Sequence, residues 1–283
     1  MNVETDLIKY QQRVNQLLTH YLLDPAPLSE PLHDAMRYAV LNGGKRLRPL
    51  LVYTLGTALG SSLESLDQVA CALELIHAYS LIHDDLPSMD NDDWRRGKPS
   101  CHKKFGDSMA LLAGDSLQAL AFDVLLKAPL SPEKLRKRLN VLVKAAGPWG
   151  MVAGQAMEFS SNASSADKSS VETIHALKTG TLFAAALELA GIVADLPKEQ
   201  LLTLSQIGNR LGLVYQLQDD VCDNECSRYW QDPSIRETYL QGLAEQILKD
   251  LTFVPSLFSP KNKAFNLLLK TMFQSKEVAI TYQ

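Results

Sequence analysis

Cysteine is scarce in this sequence, with Cys71, Cys101, Cys222 and Cys226 spread over 283 residues. A disulfide framework needs a denser set, and Cys71 and Cys222 lie inside apolar helical patterns, so they read as free thiols of a reducing compartment. Cys222 and Cys226 stand four apart, but no neighbouring histidine or further cysteine completes a zinc set. A basic excess is missing as well: at a formal net charge of −4 the chain lacks the electrostatic footprint of a nucleic-acid binder. The first residues, MNVETDLIKYQQRVNQLL, place acids and glutamines where a signal peptide needs an apolar core, which predicts a cytoplasmic location. The longest apolar run, Leu182–Leu196, contains Glu188 and is too short to span a bilayer, so no membrane insertion is expected and the run reads as a buried core helix. Strand-like alternation, a fixed-period repeat and a long linker are also lacking.

What the sequence has is helix. A 46% hydrophobic and 21% charged composition belongs to a soluble globular protein. Apolar periodicity and end signals predict helices over Val3–Leu23, Glu30–Ala39, Pro49–Leu59, Leu66–His83, Ser108–Leu126, Glu133–Ala145, Gly150–Glu158, Val171–Val193, Lys198–Cys226 and Pro233–Leu251. Ser131-Pro132-Glu133 opens one of them with a cap and an N1 proline, and Ser160–Ser170 reads as a mobile loop. One all-α domain over residues 1–283 is the expected organisation.

Two acidic clusters interrupt this pattern. In LIHDDLPSMDNDDWRRG, Asp84, Asp85, Asp90, Asp92 and Asp93 fall at the C-terminal end of a helix, where the macrodipole already presents negative charge. Arg95 and Arg96 answer part of that charge, and a hard cation such as Mg²⁺, which takes carboxylate and phosphate oxygens, suits the remainder. Six residues of helix turn through about 600°, so Asp84 and Asp90 can cooperate only if the helix breaks between them, at Pro87. In YQLQDDVCD, Gln216, Asp219 or Asp220, and Asp223 share one helix face, and carboxylates so placed repel by a few tenths of a kcal/mol. The pair of clusters suggests a cage of metal ions around a polyphosphate.

Three other stretches bear on the same chemistry. Lys45, Arg46 and Arg48, after Gly43-Gly44, lack P-loop spacing but put three cations at a helix junction suited to an anion. Lys178-Thr179-Gly180 interrupts a run of helix formers, and a bend there would aim a carbonyl and the Thr179 hydroxyl into a cavity. His83-Asp84 also admits another reading, the His-Asp pair of all-α phosphohydrolases, although no second pair accompanies it.

GGKRLRP, HDDLPSMDNDDWRRG, LAGD, LKTG and YQLQDD, in this order and spacing within Leu32 to Asp223, resemble the trans-isoprenyl diphosphate synthases, most closely the bacterial farnesyl diphosphate synthases. The resemblance implies a helical bundle around a deep central cavity and a homodimer. It implies a prenyltransferase that joins isopentenyl diphosphate head to tail with dimethylallyl or geranyl diphosphate, giving farnesyl diphosphate and pyrophosphate. By the same resemblance Asp84, Asp90, Asp219, Asp220 and Asp223 hold about three Mg²⁺, and Arg95 and Lys178 join them on the allylic diphosphate. Lys45, Arg48, His77 and Arg96 hold isopentenyl diphosphate, while Thr179 and Gln216 turn dipoles on the carbocation. A tail hanging from Asp84 runs back one turn past Ser80 onto Tyr79, which is then the floor that sets chain length. The family's two lysines after the second cluster are missing between Asn224 and Leu248, the C-terminal part looks divergent and shortened from about residue 224, and Arg236 in RETY stands in for one of them. That departure leaves open a catalytically weak binding or partner subunit of the same fold.

Overall fold

The structure, a computed structural model, describes residues 3–23, 30–160, 168–223, 232–254 and 262–273, with 168 and 220–223 given by backbone alone. The helices are α1 (Val3–Tyr21), α2 (Glu30–Leu41), α3 (Leu47–Ala58), α4 (Leu63–Asp84), α5 (Cys101–Phe105), α6 (Asp107–Leu126), α7 (Pro132–Ala146), α8 (Met151–Ser160), α9 (Lys168–His175), α10 (Thr181–Val193), α11 (Lys198–Asp223), α12 (Pro233–Leu251) and α13 (Lys263–Phe273). All ten expected helices are present. The expected Val171–Val193 helix is divided by a π-turn over Ala176–Gly180. Most of the Ser160–Ser170 loop lies outside the described residues.

Three elements were not expected. A two-stranded hairpin pairs Trp94–Arg95 (β1) with Lys98–Pro99 (β2), through Arg96 and Gly97 at φ 55° and 73°, both left-handed as a two-residue hairpin turn requires. Strands of two residues are too short to show alternation. Helix α5 is a little over one turn long. Helix α13 was legible, because its buried Phe265, Leu268, Leu269 and Met272 follow i, i+3, i+4, i+7 spacing.

The chain divides into two compact units, residues 1–53 with 62–139, and residues 54–61 with 140–283. In the first, α4 is the central element. Thirteen of its side chains are buried, chiefly against α6, which offers Ala110, Ala113, Gly114, Leu117 and Ala121. Its buried acids are answered from other elements: Asp67 accepts from Arg13 at 2.7 and 2.8 Å and from the Tyr53 hydroxyl at 2.8 Å. Glu74 accepts from Arg46 at 2.6 Å with both side chains about 2% exposed.

In the second unit, α10 and α11 pack almost backbone to backbone. A Cβ on Gly212 would lie 2.5 Å from Gly180 Cα, and one on Gly208 would lie 2.4 Å from Ala184 Cα. Residues 208 and 212, one turn apart, thus keep a bare stripe on α11. Asp107–Leu126 and Ser169–Val193 are each long and apolar enough to cross a membrane. The second is mostly buried within its unit, as a core helix would be.

Candidate active site

In the first unit, α4 stops at Asp84, two residues before the bulk of Pro87 would force it to. The chain then turns back, and the Asp90 amide donates to the Asp84 carbonyl at 2.9 Å, with Asn91 closing the turn at φ 55°. Asp84 and Asp90 are therefore neighbours, as a break between them required. Asp85 has a different place: it is buried and accepts a forked pair of hydrogen bonds from Arg95. Burial pushes its carboxyl above the usual carboxylate range, against the pull of that guanidinium. Arg95 also holds Asp92 at 2.9 Å, and Lys103 holds Asp93 at 2.7 Å. Arg95 thus answers Asp85 and Asp92, and Lys103 answers Asp93.

Among the described residues no three His, Cys, Asp or Glu side chains form a ready metal cage. Mg²⁺ does not require one, since it takes one or two carboxylates and completes its octahedron with water and phosphate oxygens. Two acceptor-only carboxylates at the ends of one loop fit that demand.

The cationic stretch separates into parts. Arg46 takes a left-handed φ of 54° that turns its side chain into the core. There it meets Glu74, the Val40 carbonyl at 2.6 Å and Asn15 at 2.9 Å. Of the three cations expected to suit an anion, this one serves the fold; Lys45 is exposed and Arg48 is buried. Arg96, at the hairpin tip, donates to the Gly43 carbonyl at 2.6 Å, and its guanidinium lies where a Cβ on Gly44 would be, 2.7 Å away. With Gly44 at φ 115°, glycine is required there both for conformation and for room. His77 lies close to the same group: burial first, and then the charges of Arg48 and Arg96, hold its imidazole well below the ordinary range. Arg48 and Arg96 are thus the charges that bear most on His77, while Arg95 pairs with Asp85 and Asp92.

Further back along α4, Ser80 donates to the His77 carbonyl at 2.9 Å. Tyr79 is 4% exposed and meets the His83 ring edge-on, centroids 5.8 Å apart. His83 lies on Gly114, where an added Cβ would come within 2.1 Å of the ring, with Nε2 3.0 Å from the Leu111 carbonyl oxygen. The glycine of LAGD makes that approach possible.

In the second unit, the π-turn places Lys178, Thr179 and Gly180. Gly180 itself is helical at φ −59° and ψ −39°; it serves the close crossing with Gly212 rather than a glycine-specific bend. On the other side, a Cβ on Gly154 would sit 2.3 Å from the Lys178 amide nitrogen, so the turn is wedged between the backbones of α8 and α11. Thus held, the Thr179 hydroxyl donates to Gln216 Oε1 at 2.8 Å, and Lys178 pairs with Glu158 of α8. No local pattern in the sequence marks Glu158 as that partner. Asp219 follows Gln216 by three residues on the same α11 face; the side chains of Asp220 and Asp223 lie outside the described residues. Arg236, half-exposed, is in the first turn of α12, which Asp232 caps by accepting from the Ser234 amide at 2.9 Å. The same helix lays Tyr239, Leu240 and Leu243 on Leu213 and Leu217 of α11.

An all-α fold with an aspartate-rich turn after one core helix, and a second aspartate cluster on another, is that of the isoprenoid synthase class. The chain belongs to the polyprenyl synthetase family, whose pattern it matches over residues 29–232. It is 44% identical over 225 residues to the farnesyl diphosphate synthase of Haemophilus influenzae, covering 78% of this chain and 76% of that one. It is also 44% identical over 217 residues to the farnesyl diphosphate synthase of Escherichia coli, covering 75% and 72%. Among solved structures, a geranyltransferase from Legionella pneumophila superposes with a TM-score of 0.84 at 39% identity, covering 96% of both chains. An FPP/GFPP synthase from Zymomonas mobilis superposes at 0.87 with 34% identity, covering 96% of this chain and 99% of that one. The family match ends at residue 232, close to where the sequence departs from the pattern, and it sets aside the phosphohydrolase reading of His83-Asp84.

Proposed function

We propose that the protein is a Mg²⁺-dependent farnesyl diphosphate synthase, joining isopentenyl diphosphate to dimethylallyl and then geranyl diphosphate. The observation that carries this reading is the turn that makes Asp84 and Asp90 neighbours, in a chain 44% identical to farnesyl diphosphate synthases. Asp84 and Asp90, with Asp219, Asp220 and Asp223, are the residues that would hold Mg²⁺. When bound, the metal would neutralise the charge that develops on the departing diphosphate.

The chain's own residues do the rest. Lys178 leaves Glu158 for the allylic diphosphate, and Arg236 supplies a second cation in place of the family's lysine. Lys45, Arg48 and Arg96, with neutral His77 as a hydrogen-bonding partner, fix isopentenyl diphosphate so that its double bond faces the allylic carbon. The allylic C–O bond breaks, its electrons leaving with pyrophosphate. The double bond of isopentenyl diphosphate forms the new C–C bond, and the proton lost next to the resulting cation goes to the pyrophosphate oxygen. The dipoles of Thr179 and Gln216, locked to each other, stabilise positive charge without offering it a base. Tyr79 forms the floor that ends growth at fifteen carbons.

The apolar Leu111, Leu112 and Leu126 that α6 exposes support a homodimer on that face, and we place the protein in the cytoplasm without membrane insertion. The absence of lysine between Asn224 and Leu248 favours the second reading, a member of the family that binds prenyl diphosphates and turns them over poorly. Incubation with isopentenyl and geranyl diphosphates and Mg²⁺ decides: farnesyl diphosphate with equimolar pyrophosphate supports the synthase, and binding without product supports the second reading.

A further inference from the structure

Helix α1 lies ahead of the family match, which begins at residue 29, yet it reaches the loop of the cationic stretch at two points. Gln11 donates to the Gly44 carbonyl at 3.3 Å, and Asn15, one turn further along the same face, accepts from Arg46 Nε at 2.9 Å. Helix α1 is itself fastened, because Arg13 binds Asp67 of α4 at 2.7 and 2.8 Å. The rest of the Arg46 guanidinium is divided between Glu74 of α4 and the Val40 carbonyl of α2, and at 3% exposure it has almost no water to turn to. The Arg46 carbonyl accepts from the Leu50 amide at 2.9 Å, so the residue anchored sideways into the core also sets where α3 begins. Arg48 is the second residue of that helix.

We propose that Asn15 is a positioning residue for isopentenyl diphosphate, acting through Arg46 on Arg48. This rests on Arg48 holding that substrate. A left-handed φ of 54° is unfavourable for a residue with a Cβ and persists only where the surroundings over-determine it. Three acceptors on separate helices do so here: Asn15 on α1, the Val40 carbonyl on α2 and Glu74 on α4. Without the Asn15 amide oxygen, the Arg46 Nε–H is buried with no acceptor, and the guanidinium relieves that loss by shifting. The backbone of Arg46 follows, and with it the first turn of α3 that carries Arg48. The displacement falls on isopentenyl diphosphate alone, because Lys178 and Arg236, which serve the allylic diphosphate, stand on other elements.

The test is a cycle of variants read by kinetics and by calorimetric titration with isopentenyl diphosphate, the second being independent of turnover. Arg48→Ala should raise KM for isopentenyl diphosphate and weaken its binding; no change in either would overturn the reading of that site and the role of Asn15 with it. Asn15→Leu, which removes the acceptor at similar volume, should raise KM and Kd for isopentenyl diphosphate about tenfold, as for one hydrogen bond to a charged group, with kcat and KM for geranyl diphosphate unchanged. Asn15→Asp, which still accepts from Nε, should keep the wild-type values. Adding Asn15→Leu to Arg48→Ala should weaken binding no further, because the group being aimed is gone. Where Arg48→Ala has its effect, wild-type KM and Kd for isopentenyl diphosphate in Asn15→Leu would overturn the proposal alone. So would an equal rise in KM for both substrates, the mark of a merely structural role, or an effect that persists in full in the Arg48→Ala background. If the leucine variant does not fold, Asn15→Ala carries the same expectations.

Discussion

Gly212→Ala and Gly242→Ala make the same chemical change inside a helix, and the structure predicts opposite signs. In isolation Ala is favoured over Gly in a helix interior by about 0.8–1 kcal/mol. At Gly242, on the exposed side of α12, nothing lies within 4 Å of the added methyl. That gain should therefore appear as a small rise in stability, up to about 1 kcal/mol. At Gly212 the methyl would lie 2.5 Å from Gly180 Cα and 2.9 Å from its nitrogen. These are backbone atoms, already pressed from the side of α8 through Gly154, so the clash cannot be relieved by a rotamer. Overpacking of this kind costs about 1–3 kcal/mol, and the strain here falls at its upper end, leaving a net loss of about 1–2 kcal/mol after the propensity gain. At about 2–4 °C per kcal/mol, the melting point should fall by several degrees. The functional effect should exceed the stability effect, because the displaced turn carries Thr179 away from Gln216. Denaturant unfolding of both variants, with kcat for farnesyl diphosphate formation, is the assay. A Gly212→Ala protein as stable and as active as wild type would refute the claim that the π-turn is wedged in place.

Three further outcomes follow from named groups. Glu74→Ala leaves Arg46 charged and buried, which should cost about 3–5 kcal/mol in urea unfolding, whereas Glu133→Ala removes an exposed partner of Lys137 and should leave the melting point unchanged. His77 is depressed in the folded protein from its ordinary 6.5, so below that pH the unfolded chain binds a proton that the native one refuses. Stability should accordingly fall as pH drops below about 6.5, and His77→Gln should flatten that part of a melting-versus-pH curve. Arg236→Ala should lower kcat/KM for the allylic substrate about ten- to a hundredfold, as for loss of a charged hydrogen bond, and barely change it for isopentenyl diphosphate; equal effects on both would place Arg236 elsewhere.

Helices and acidic clusters were legible because each leaves a signal within a few residues. Periodicity gave α4, α6, α10 and α11, and the rotation of an ideal helix already demanded a break between Asp84 and Asp90. What was not legible depends on contacts across the chain. GGKRLRP shows three cations, but the left-handed φ of Arg46, which sends it to Glu74, is a property of the fold. LKTG suggests a glycine bend, while the reason for glycine is the approach of Gly212, 32 positions on. The attachments of Lys178 to Glu158 and of Arg96 to Gly43 each join residues on separate elements, which no local pattern encodes. Helix α13 is the exception, since its apolar spacing was present in the sequence.

The most direct test of the account is whether Asp84 and Asp219 are each needed to bind a diphosphate together with Mg²⁺. Melting of the protein with saturating Mg²⁺ and pyrophosphate, together and singly, measures this, because a ligand at 100 times its Kd adds about 2.7 kcal/mol. The account predicts a large shift only when both are present, and its loss in Asp84→Asn and in Asp219→Asn alike. A folded wild type that shows no joint shift, or either variant keeping it in full, would contradict the account.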